Sequence, residues 1–322
     1  MRALQVTELS GPDGVAVTHD APEPDVGDGV LIDVHSGGIA FPDLLLSRGK
    51  YQVKPDVPFT LGTEVAGTVA AAGEHSGFEP GQEVMAITFG ALADRAVADP
   101  AMTFPLPESF SMEQGAGFIV NYHTSHFALH RRGRLEEGET VLVHGAAGGV
   151  GTAAIQIARG SAARTIAVVS SEEKERVARE AGADEVVRST GDWLGAAREL
   201  TAGRGVDVVY DPVGGDRFTD SVRSLAPEGR LLVVGFAEGQ IPSVAANRLL
   251  LKNVSVVGVG WGGFVGDKPE LVAEIARDLE RLADEGFVRP MVGATYPLEE
   301  GPQALRDLDE RRATGKLVLK LR

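Results

Sequence analysis

Three glycines at every third position are the clearest chemical feature of this sequence. Residues 140–144 (Thr-Val-Leu-Val-His) have the composition of a buried strand, and Gly145, Gly148 and Gly151 follow directly. Between a strand and a helix, the first glycine of such a series permits a tight turn. The second lets the backbone approach a pyrophosphate, and the third allows close packing of helix on strand. The helix N-terminus attracts phosphate, so the segment predicts a dinucleotide-binding turn; an ordinary glycine-rich turn is the alternative.

The residues after the next predicted strand, Thr165–Val169, indicate which nicotinamide dinucleotide fits. A site for NAD usually has Asp or Glu at this position to hold the ribose 2′-hydroxyl. Here the strand is followed by Ser170 and Ser171, and Lys174 lies one helical turn onward. Hydroxyl groups and an ammonium suit a 2′-phosphate, so we expect NADPH, bound by Ser170 and Lys174. Ser171 also suits the N-cap of the next helix, and the two roles are compatible.

Three histidines could be mistaken for a metal site. His123, His126 and His130 are spaced to share one helix face, but no Asp or Glu accompanies them on that stretch. The chain has no cysteine, which excludes disulfides and thiolate metal ligands. The sequence therefore predicts no metal site.

Composition narrows the class of protein. The chain has 322 residues and a net charge of −15, and an acidic surface repels nucleic acid and anionic membranes. Its apolar runs are strand-sized, far short of a membrane span. The N-terminus alternates like a strand and does not resemble a signal peptide. We therefore expect a cytoplasmic protein with a small-molecule substrate.

Two kinds of segment follow one another along the chain. The first third has short β-like runs such as Val30–Val34 and Glu83–Ile87, separated by turns, which indicates a β-barrel-type domain. Its turn glycines are expected to adopt positive φ angles: Gly37, Gly38, Gly62, Gly67, Gly73 and Gly81. From about residue 120, apolar strands alternate with helices, which predicts βαβ units and a parallel sheet. The expected fold class is α/β.

Several motifs resemble one family from end to end. They are Phe-Pro-Asp-Leu-Leu (41–45), Arg-Gly-Lys-Tyr (48–51), Gly-Thr-Glu-Val-Ala-Gly (62–67), His-Gly-Ala-Ala-Gly-Gly-Val-Gly (144–151), Val-Asp-Val-Val-Tyr-Asp-Pro-Val-Gly-Gly (206–215), Gly-Arg-Leu-Leu-Val-Val-Gly (229–235) and Arg-Ala-Thr-Gly-Lys-Leu-Val-Leu (312–319). They resemble the zinc-free quinone oxidoreductase (zeta-crystallin-like) branch of the medium-chain dehydrogenase/reductase superfamily. The resemblance implies a GroES-like catalytic domain (1–120 and 256–322) and a Rossmann NADPH-binding domain (121–255). It also implies a cofactor in the cleft and a homodimer formed through the Rossmann sheet edge.

The resemblance also implies roles for individual residues. Gly148, Gly149 and Val150 would face the pyrophosphate, and Thr124 would lie near the nicotinamide. The nicotinamide end would also be contacted by Gly235 and Phe236. The other side of the cofactor would be lined by Val259, Gly260 and Trp261, and Arg312 would approach the adenosine phosphate.

Two positions depart from patterns within the superfamily. Relatives commonly have Asn where this chain has Ala40, so the nature of the substrate is open. Zinc alcohol dehydrogenases have Cys near the position of Ala40 and His at the position of Thr63. A catalytic zinc needs about three protein ligands, which these residues do not supply.

Without zinc, the remaining chemistry is hydride delivery to an electron-poor π system, with the protein supplying orientation and exclusion of water. Tyr51 is the candidate proton donor or substrate hydrogen-bonding residue, although it could simply pack its ring. Asn121 and Tyr122 are secondary candidates, and Trp261 could form an apolar wall for a flat substrate. The expected activity is NADPH:quinone oxidoreductase. The alternatives are an NADPH-dependent enoyl or alkenal double-bond reductase and a non-enzymatic NADPH-binding protein.

Overall fold

The computed structural model describes residues 1–266 and 268–322. The chain forms two compact units. One comprises Met1–Val120 and Pro290–Arg322, and the other comprises Asn121–Arg289. Among the described helices, none is both long enough and apolar enough to cross a membrane.

The first unit is built of strands with four short helices. Its strands are β1 (Ala3–Val6), β2 (Val15–Thr18), β3 (Val30–Ile39), β4 (Phe59–Thr60), β5 (Glu64–Ala72), β6 (Glu83–Ile87), β7 (Arg95–Ala98), β8 (Thr103–Pro105), β15 (Val292–Pro297) and β16 (Lys316–Lys320). Its helices are α1 (Phe41–Ser47), α2 (Met112–Gly115), the start of α3 (Ile119–His126) and α11 (Gly301–Asp309). The large sheet has the order β15-β16-β3-β5-β6-β8, with β7 also paired to β3, and a small sheet has the order β2-β1-β4. The two C-terminal strands thus complete a sheet begun by the first third of the chain.

The turn glycines of this unit are required for two different reasons, backbone conformation and lack of space for a side chain. Gly62 and Gly81 have φ angles of +103° and +90°, as predicted. The prediction is wrong for Gly37, Gly38, Gly67 and Gly73, none of which has a positive φ. A Cβ at Gly38 would lie 2.2 Å from the carbonyl oxygen of Ala116, and comparable overlaps occur at the other three. These positions need glycine because neighbouring atoms leave no room for a side chain.

The second unit is a six-stranded sheet flanked by helices. Its strands are β9 (Thr140–His144), β10 (Arg164–Val169), β11 (Glu185–Arg188), β12 (Val206–Asp211), β13 (Leu225–Val233) and β14 (Ser255–Gly258). Its helices are most of α3, α4 (Gly149–Gly160), α5 (Glu172–Glu180), α6 (Trp193–Leu200), α7 (Phe218–Ser224), α8 (Ala246–Leu250), α9 (Trp261–Val265) and α10 (Pro269–Asp284). The strands are parallel in the order β11-β10-β9-β12-β13-β14, which is the doubly wound order with β9 and β12 at its centre. The predicted α/β class, a barrel-type domain with a Rossmann domain, is confirmed.

The unit boundary differs from the expected one at its C-terminal side. We expected the second domain to end at residue 255, whereas the second unit continues to Arg289. The physical reason is that β14 pairs in parallel with β13, from Ser255 opposite Arg230 to Gly258 opposite Val233. Helix α10 follows within the same unit and buries Leu271, Ile275 and related apolar residues.

Candidate functional site

The glycine-rich turn has the geometry that its spacing predicts. Strand β9 is buried along its whole length, and Gly145 then turns with a φ of +57°. Helix α4 begins at Gly149, and its N-cap, Gly148, has no side chain to accept from the first-turn N–H groups. A Cβ at Gly151 would lie 2.3 Å from the carbonyl oxygen of Gly145, so helix and strand approach too closely for any other residue. The uncapped helix N-terminus suits a pyrophosphate.

Helix α3 supports this turn from one side, a contact that sequence reasoning missed. The Ser125 hydroxyl lies 3.1 Å from the Val150 carbonyl oxygen, to which it donates, and 2.9 Å from the Tyr210 hydroxyl. The Asn121 side chain lies beside Gly149, where a Cβ would come within 2.6 Å of its Nδ2 atom. Thr124, predicted to lie near the nicotinamide, is half-buried on the same helix. The sequence around Ser125 gave no specific signal, because the partners Val150 and Tyr210 are distant in sequence.

The end of β10 carries the residues predicted to bind the 2′-phosphate. Ser170 is exposed, and Lys174 is partly buried on the first turn of α5. The Ser171 hydroxyl accepts from the Lys174 N–H at 3.2 Å and caps the helix, as the sequence indicated. Glu175, the nearest acid after Lys174, is engaged by Arg179 at 2.9 Å and Arg188 at 2.6 Å. The carboxyl end of β10 therefore presents a serine hydroxyl with a lysine one turn away.

The carboxyl ends of β12 and β13 place Gly235 and Phe236 near a buried carboxylate. The Oδ1 atom of Asp211 accepts from the N–H groups of Val213 and Gly214, each at 2.9 Å. Its Oδ2 atom is buried without a hydrogen-bond partner, and burial raises the pKa of the carboxyl. The Phe236 ring packs against Gly214, whose Cβ would lie 3.0 Å from it.

His144 at the end of β9 is a second buried polar group. Its Nε2 atom lies 2.8 Å from the Ser221 hydroxyl, which itself donates to the Arg217 carbonyl. Because that hydroxyl proton is used, Nε2 must donate, and the Nδ1 atom is a buried acceptor without a partner. The ring contacts Trp193 edge-on at 4.9 Å, and burial lowers the pKa of His144 to about 3. The imidazole is therefore neutral in the folded protein.

The segment Val259–Trp261 continues from the carboxyl end of β14. The Val259 N–H donates to the Val233 carbonyl at 2.9 Å, and the exposed Gly260 leads into α9. Trp261 is only 7% exposed, and its ring meets the His123 ring edge-on at a centroid distance of 5.4 Å. Its Nε1 atom is buried without a hydrogen-bond partner.

The three histidines do not form a metal site. Helix α3 passes into a π-helical segment, Phe127–Arg132, which changes the spacing of the side chains. His126 pairs with Asp278 of α10 at 3.3 Å, and the His130 ring is 4.5 Å from that of His126. Within residues 1–266 and 268–322, no three His, Asp or Glu side chains are close enough to hold a metal ion.

In the first unit, the predicted donor Tyr51 is half-buried against the barrel core. Burial and the nearby Asp43 carboxylate raise the pKa of the Tyr51 hydroxyl, so it retains its proton at neutral pH. Asp43 is fully buried and accepts from the N–H groups of Ala40 at 2.7 Å and Gly62 at 3.1 Å. Burial raises its pKa to about 6, yet both oxygens are used by the backbone.

Two basic residues of the first unit have acidic partners. Lys316 forms a buried ion pair with Glu64, whose other oxygen accepts from the Val120 N–H at 3.0 Å. Arg312, predicted to approach the adenosine phosphate, is exposed and pairs with Asp307 at 2.6 Å and with Glu310. A phosphate would have to displace two carboxylates from it. Arg312 and Tyr51 belong to the first unit, whereas the other predicted site residues belong to the second.

Comparisons with known proteins agree with both units. A family model described as "Alcohol dehydrogenase GroES-like domain" matches residues 27–108. A second model, described as "Zinc-binding dehydrogenase", matches residues 149–277.

Individual relatives match the chain over its whole length. "Quinone oxidoreductase-like protein 2" of Rattus norvegicus is 38% identical over all of this chain and 92% of the rat protein. The crystal structure of a probable oxidoreductase from Mycobacterium abscessus is 44% identical, with a TM-score of 0.90 over 100% of this chain and 99% of that one. A mycobacterial protein solved in complex with NADPH is 33% identical, with a TM-score of 0.92 and complete coverage of both chains. By this similarity, the chain belongs to the zinc-free quinone oxidoreductase branch of the medium-chain dehydrogenase/reductase superfamily.

Proposed function

We propose that the chain is an NADPH-dependent oxidoreductase that transfers hydride to quinones without a metal ion. The observation that carries the proposal is the β9–turn–α4 unit, whose uncapped helix N-terminus follows a turn too tight for side chains. The quinone acceptor is supported by the name of the rat relative. The family membership supports an enzyme rather than a protein that only binds the dinucleotide.

NADPH is favoured over NADH by the residues after β10. Gly148, Gly149 and Val150 present backbone N–H groups to the pyrophosphate, and Ser170 and Lys174 bind the 2′-phosphate. A carboxylate at this position would repel that phosphate, and none directly follows the strand. The mycobacterial relative solved with NADPH supports the same choice.

Zinc independence rests on the residues at the positions of the zinc ligands. The chain has no cysteine, and Ala40 and Thr63 stand where zinc alcohol dehydrogenases have Cys and His. Glu64, next to Thr63, is already neutralised by Lys316 and accepts from a backbone N–H. None of these side chains supplies the thiolate or imidazole that zinc prefers.

When bound, the nicotinamide supplies the hydride, and the protein supplies orientation, shielding from water and a proton. Phe236 follows β13 and is half-buried, and the buried Trp261 follows the edge strand β14, so both aromatic rings lie at the carboxyl side of the sheet. A quinone that accepts hydride becomes a hydroquinone monoanion and needs one proton. Tyr51 is the proposed donor on the basis of its place in the Arg-Gly-Lys-Tyr motif (48–51), although its raised pKa makes the hydroxyl a weak acid; solvent is the other source.

We further propose a homodimer that works in the cytoplasm. Strand β14 is the edge of the parallel sheet. Near it in sequence, Ile241, Leu250 and Leu251 are 79%, 75% and 78% exposed. An uncovered sheet edge with large apolar side chains suits a second copy of the chain. Sedimentation of Leu250→Glu/Leu251→Glu against the unchanged protein tests this, since a lasting dimer in the variant contradicts the interface.

The activity is tested by following the absorbance of the reduced nicotinamide with an ortho-quinone acceptor. NADH, an enone acceptor and a chelator are run in parallel. We expect rapid quinone-dependent oxidation of NADPH, slow oxidation of NADH and no effect of the chelator. Turnover of the enone but not the quinone replaces the quinone proposal with double-bond reduction. Tight binding of NADPH with no turnover of either acceptor overturns the enzyme proposal.

A further inference from the structure

A cavity of the second unit lies between helices α6 and α7, among residues that the glycine-rich turn does not use. Its volume is about 320 Å³, and it is lined by residues 191–195, Arg198, Asp220 and Arg223. Pockets that hold small molecules begin at about 300 Å³. The space therefore suffices for a small ligand, and four of the lining side chains are charged.

The charges of this lining are sorted along the two helices. Asp192 caps the start of α6, where its Oδ1 atom accepts from the Gly195 N–H at 2.8 Å. Arg198 lies in the last turn of α6, and Arg223 lies in the last turn of α7. Asp220 pairs with Arg223 at 2.9 Å. Both carboxylates thus have partners, and the positive groups gather at the carboxyl ends of the helices.

Three cations surround the end of α7. The Arg198 Nη2 atom and the Lys252 Nζ atom both donate to the Arg223 carbonyl oxygen, each at 3.1 Å. Lys252 also donates to the Leu225 carbonyl oxygen at 2.9 Å. These contacts orient the two side chains, but a carbonyl group is uncharged and does not neutralise them. Burial and the charges of Arg198 and Arg223 lower the pKa of Lys252. The cations therefore create a local positive potential on a chain whose net charge is −15.

The helix dipole explains part of this arrangement. Cations near the C-terminus of a helix offset its dipole, which accounts for Arg198 on α6 and Arg223 on α7. Lys252 lies outside both helices, and its charge adds repulsion that a bound anion would relieve. Arg198 is partly buried and uses one nitrogen atom on the carbonyl, whereas a guanidinium carries five N–H donors. Such a group suits the oxygens of a carboxylate or a phosphate.

We propose that the cavity between α6 and α7 binds a small metabolite through a carboxylate or phosphate group, held by Arg198 and Arg223 and attracted by the charge of Lys252. The site does not depend on the proposed function, because its lining includes neither the glycine-rich turn nor the residues directly after β10. The cations are held in place by the protein before the ligand arrives, which lowers the entropic cost of binding.

Calorimetric titration of the full chain with inorganic phosphate and with succinate tests the proposal, at an ionic strength kept constant with chloride. We expect saturable binding of at least one of them. Binding of phosphate indicates a phosphorylated metabolite, and binding of succinate indicates a carboxylate ligand. Arg198→Met keeps the apolar stem and should raise the Kd about tenfold, because a hydrogen bond to a charged group is lost. Arg277→Met, at an exposed arginine of α10, removes the same charge and should leave the Kd unchanged.

The two tryptophans of the chain report where the anion binds. Trp193 lines the cavity, whereas Trp261 begins α9. In protein labelled with ¹⁵N at the indole nitrogens, the Trp193 signal should shift as the anion binds, and the Trp261 signal should stay in place. Trp261→Phe assigns the two signals. Unchanged signals in ligand-free Arg198→Met show that the variant is folded, and Arg198→Lys, which keeps the charge, should retain part of the affinity.

Four results overturn the proposal. If neither anion binds saturably, the cavity is not an oxyanion site. If Arg277→Met weakens binding as much as Arg198→Met, the anion responds to the overall charge of the chain. If the anion binds without moving the Trp193 signal, it binds elsewhere. If NADP⁺ displaces the anion, the anion occupies the glycine-rich turn, and the proposed function stands while the second site does not exist.

Discussion

The two units treat their buried polar groups differently. In the barrel unit, Asp43, Glu64 and Lys316 are fully or almost fully buried, and each carboxylate oxygen has a hydrogen-bond partner. In the nucleotide unit, His144 Nδ1, Asp211 Oδ2 and Trp261 Nε1 are buried without one. Among described side chains of the barrel unit, only the Thr63 hydroxyl shares that condition.

The difference lies in whether the buried polar atoms of each unit are paired within the protein. A satisfied buried charge is needed for stability, since removing its partner leaves a charge without solvation. An unsatisfied buried group lowers stability through its desolvation penalty, and no partner is lost when it is replaced. Substitutions that break a satisfied pair in the barrel unit should therefore cost more stability than substitutions of an unsatisfied group in the nucleotide unit.

The largest effect is expected at the buried ion pair. Lys316→Met leaves the Glu64 carboxylate uncompensated and should lower the free energy of unfolding by about 3–5 kcal/mol. Urea unfolding of the purified variant measures this. The double variant Glu64→Gln/Lys316→Met removes both charges and should recover most of the loss. A double variant no more stable than Lys316→Met would show that the pair does not act through charge.

Next in size is the loss of the 2′-phosphate contact. Lys174→Ala should weaken NADPH binding about ten- to a hundredfold, because a hydrogen bond to a charged group contributes about 1.5–3 kcal/mol. NADH binding should not change, since NADH lacks that phosphate. Fluorescence titration with both dinucleotides measures the ratio. Arg176→Ala, an exposed cation on the same helix, is the matched control. If the variant binds NADPH and NADH equally less tightly, Lys174 does not contact the 2′-phosphate.

Local features of the site could be predicted from sequence, whereas contacts between distant segments could not. The strand Thr140–His144 and the start of α4 follow from apolar composition and glycine spacing, both of which lie within a dozen residues. The close approach of Ala116 to Gly38 is a tertiary contact. The sequence therefore attributed Gly38 to a positive φ angle, although the real cause is the lack of room for a side chain. The end of the second unit depends on strand pairing between Ser255–Gly258 and β13, which periodicity does not reveal.

The same limit explains the polar network around the turn. The pattern of α3 shows histidines at helical spacing but gives no sign that Asp278 from α10 meets His126. Nor does it show that Ser125 reaches Val150. Helix caps and the glycine spacing of the phosphate turn have local causes and can be read from sequence, while buried hydrogen-bond partners and glycines required by tertiary contacts depend on the fold.

The pH dependence of stability offers a third test, at His144. The folded protein keeps this imidazole neutral with a pKa of about 3, while the histidine of the unfolded chain has the ordinary pKa of about 6.5. Because the pKa of His144 is lowered in the folded protein, its contribution to the free energy of unfolding is complete above about pH 6.5. That contribution declines as the pH falls toward 3. His144→Gln should therefore reduce the loss of unfolding free energy between pH 7.5 and pH 5.5 by about 1–2 kcal/mol. Equal losses in the variant and the unchanged protein would contradict a buried neutral imidazole.

The smallest effect is expected where a satisfied group touches the ligand-binding turn. Ser125→Ala removes the hydrogen bond to the Val150 carbonyl and leaves the buried Tyr210 hydroxyl without the Ser125 hydroxyl. We expect a loss of about 1 kcal/mol in unfolding free energy and an approximately fivefold weaker Kd for NADPH. Tyr210→Phe is the control, because it removes the hydroxyl that Ser125→Ala leaves without its partner. The double variant should lose less unfolding free energy than the sum of the losses in the two single variants. If Ser125→Ala weakens NADPH binding without lowering the free energy of unfolding, Ser125 acts on the ligand rather than on the fold. The distinction between satisfied and unsatisfied groups then does not hold at this residue.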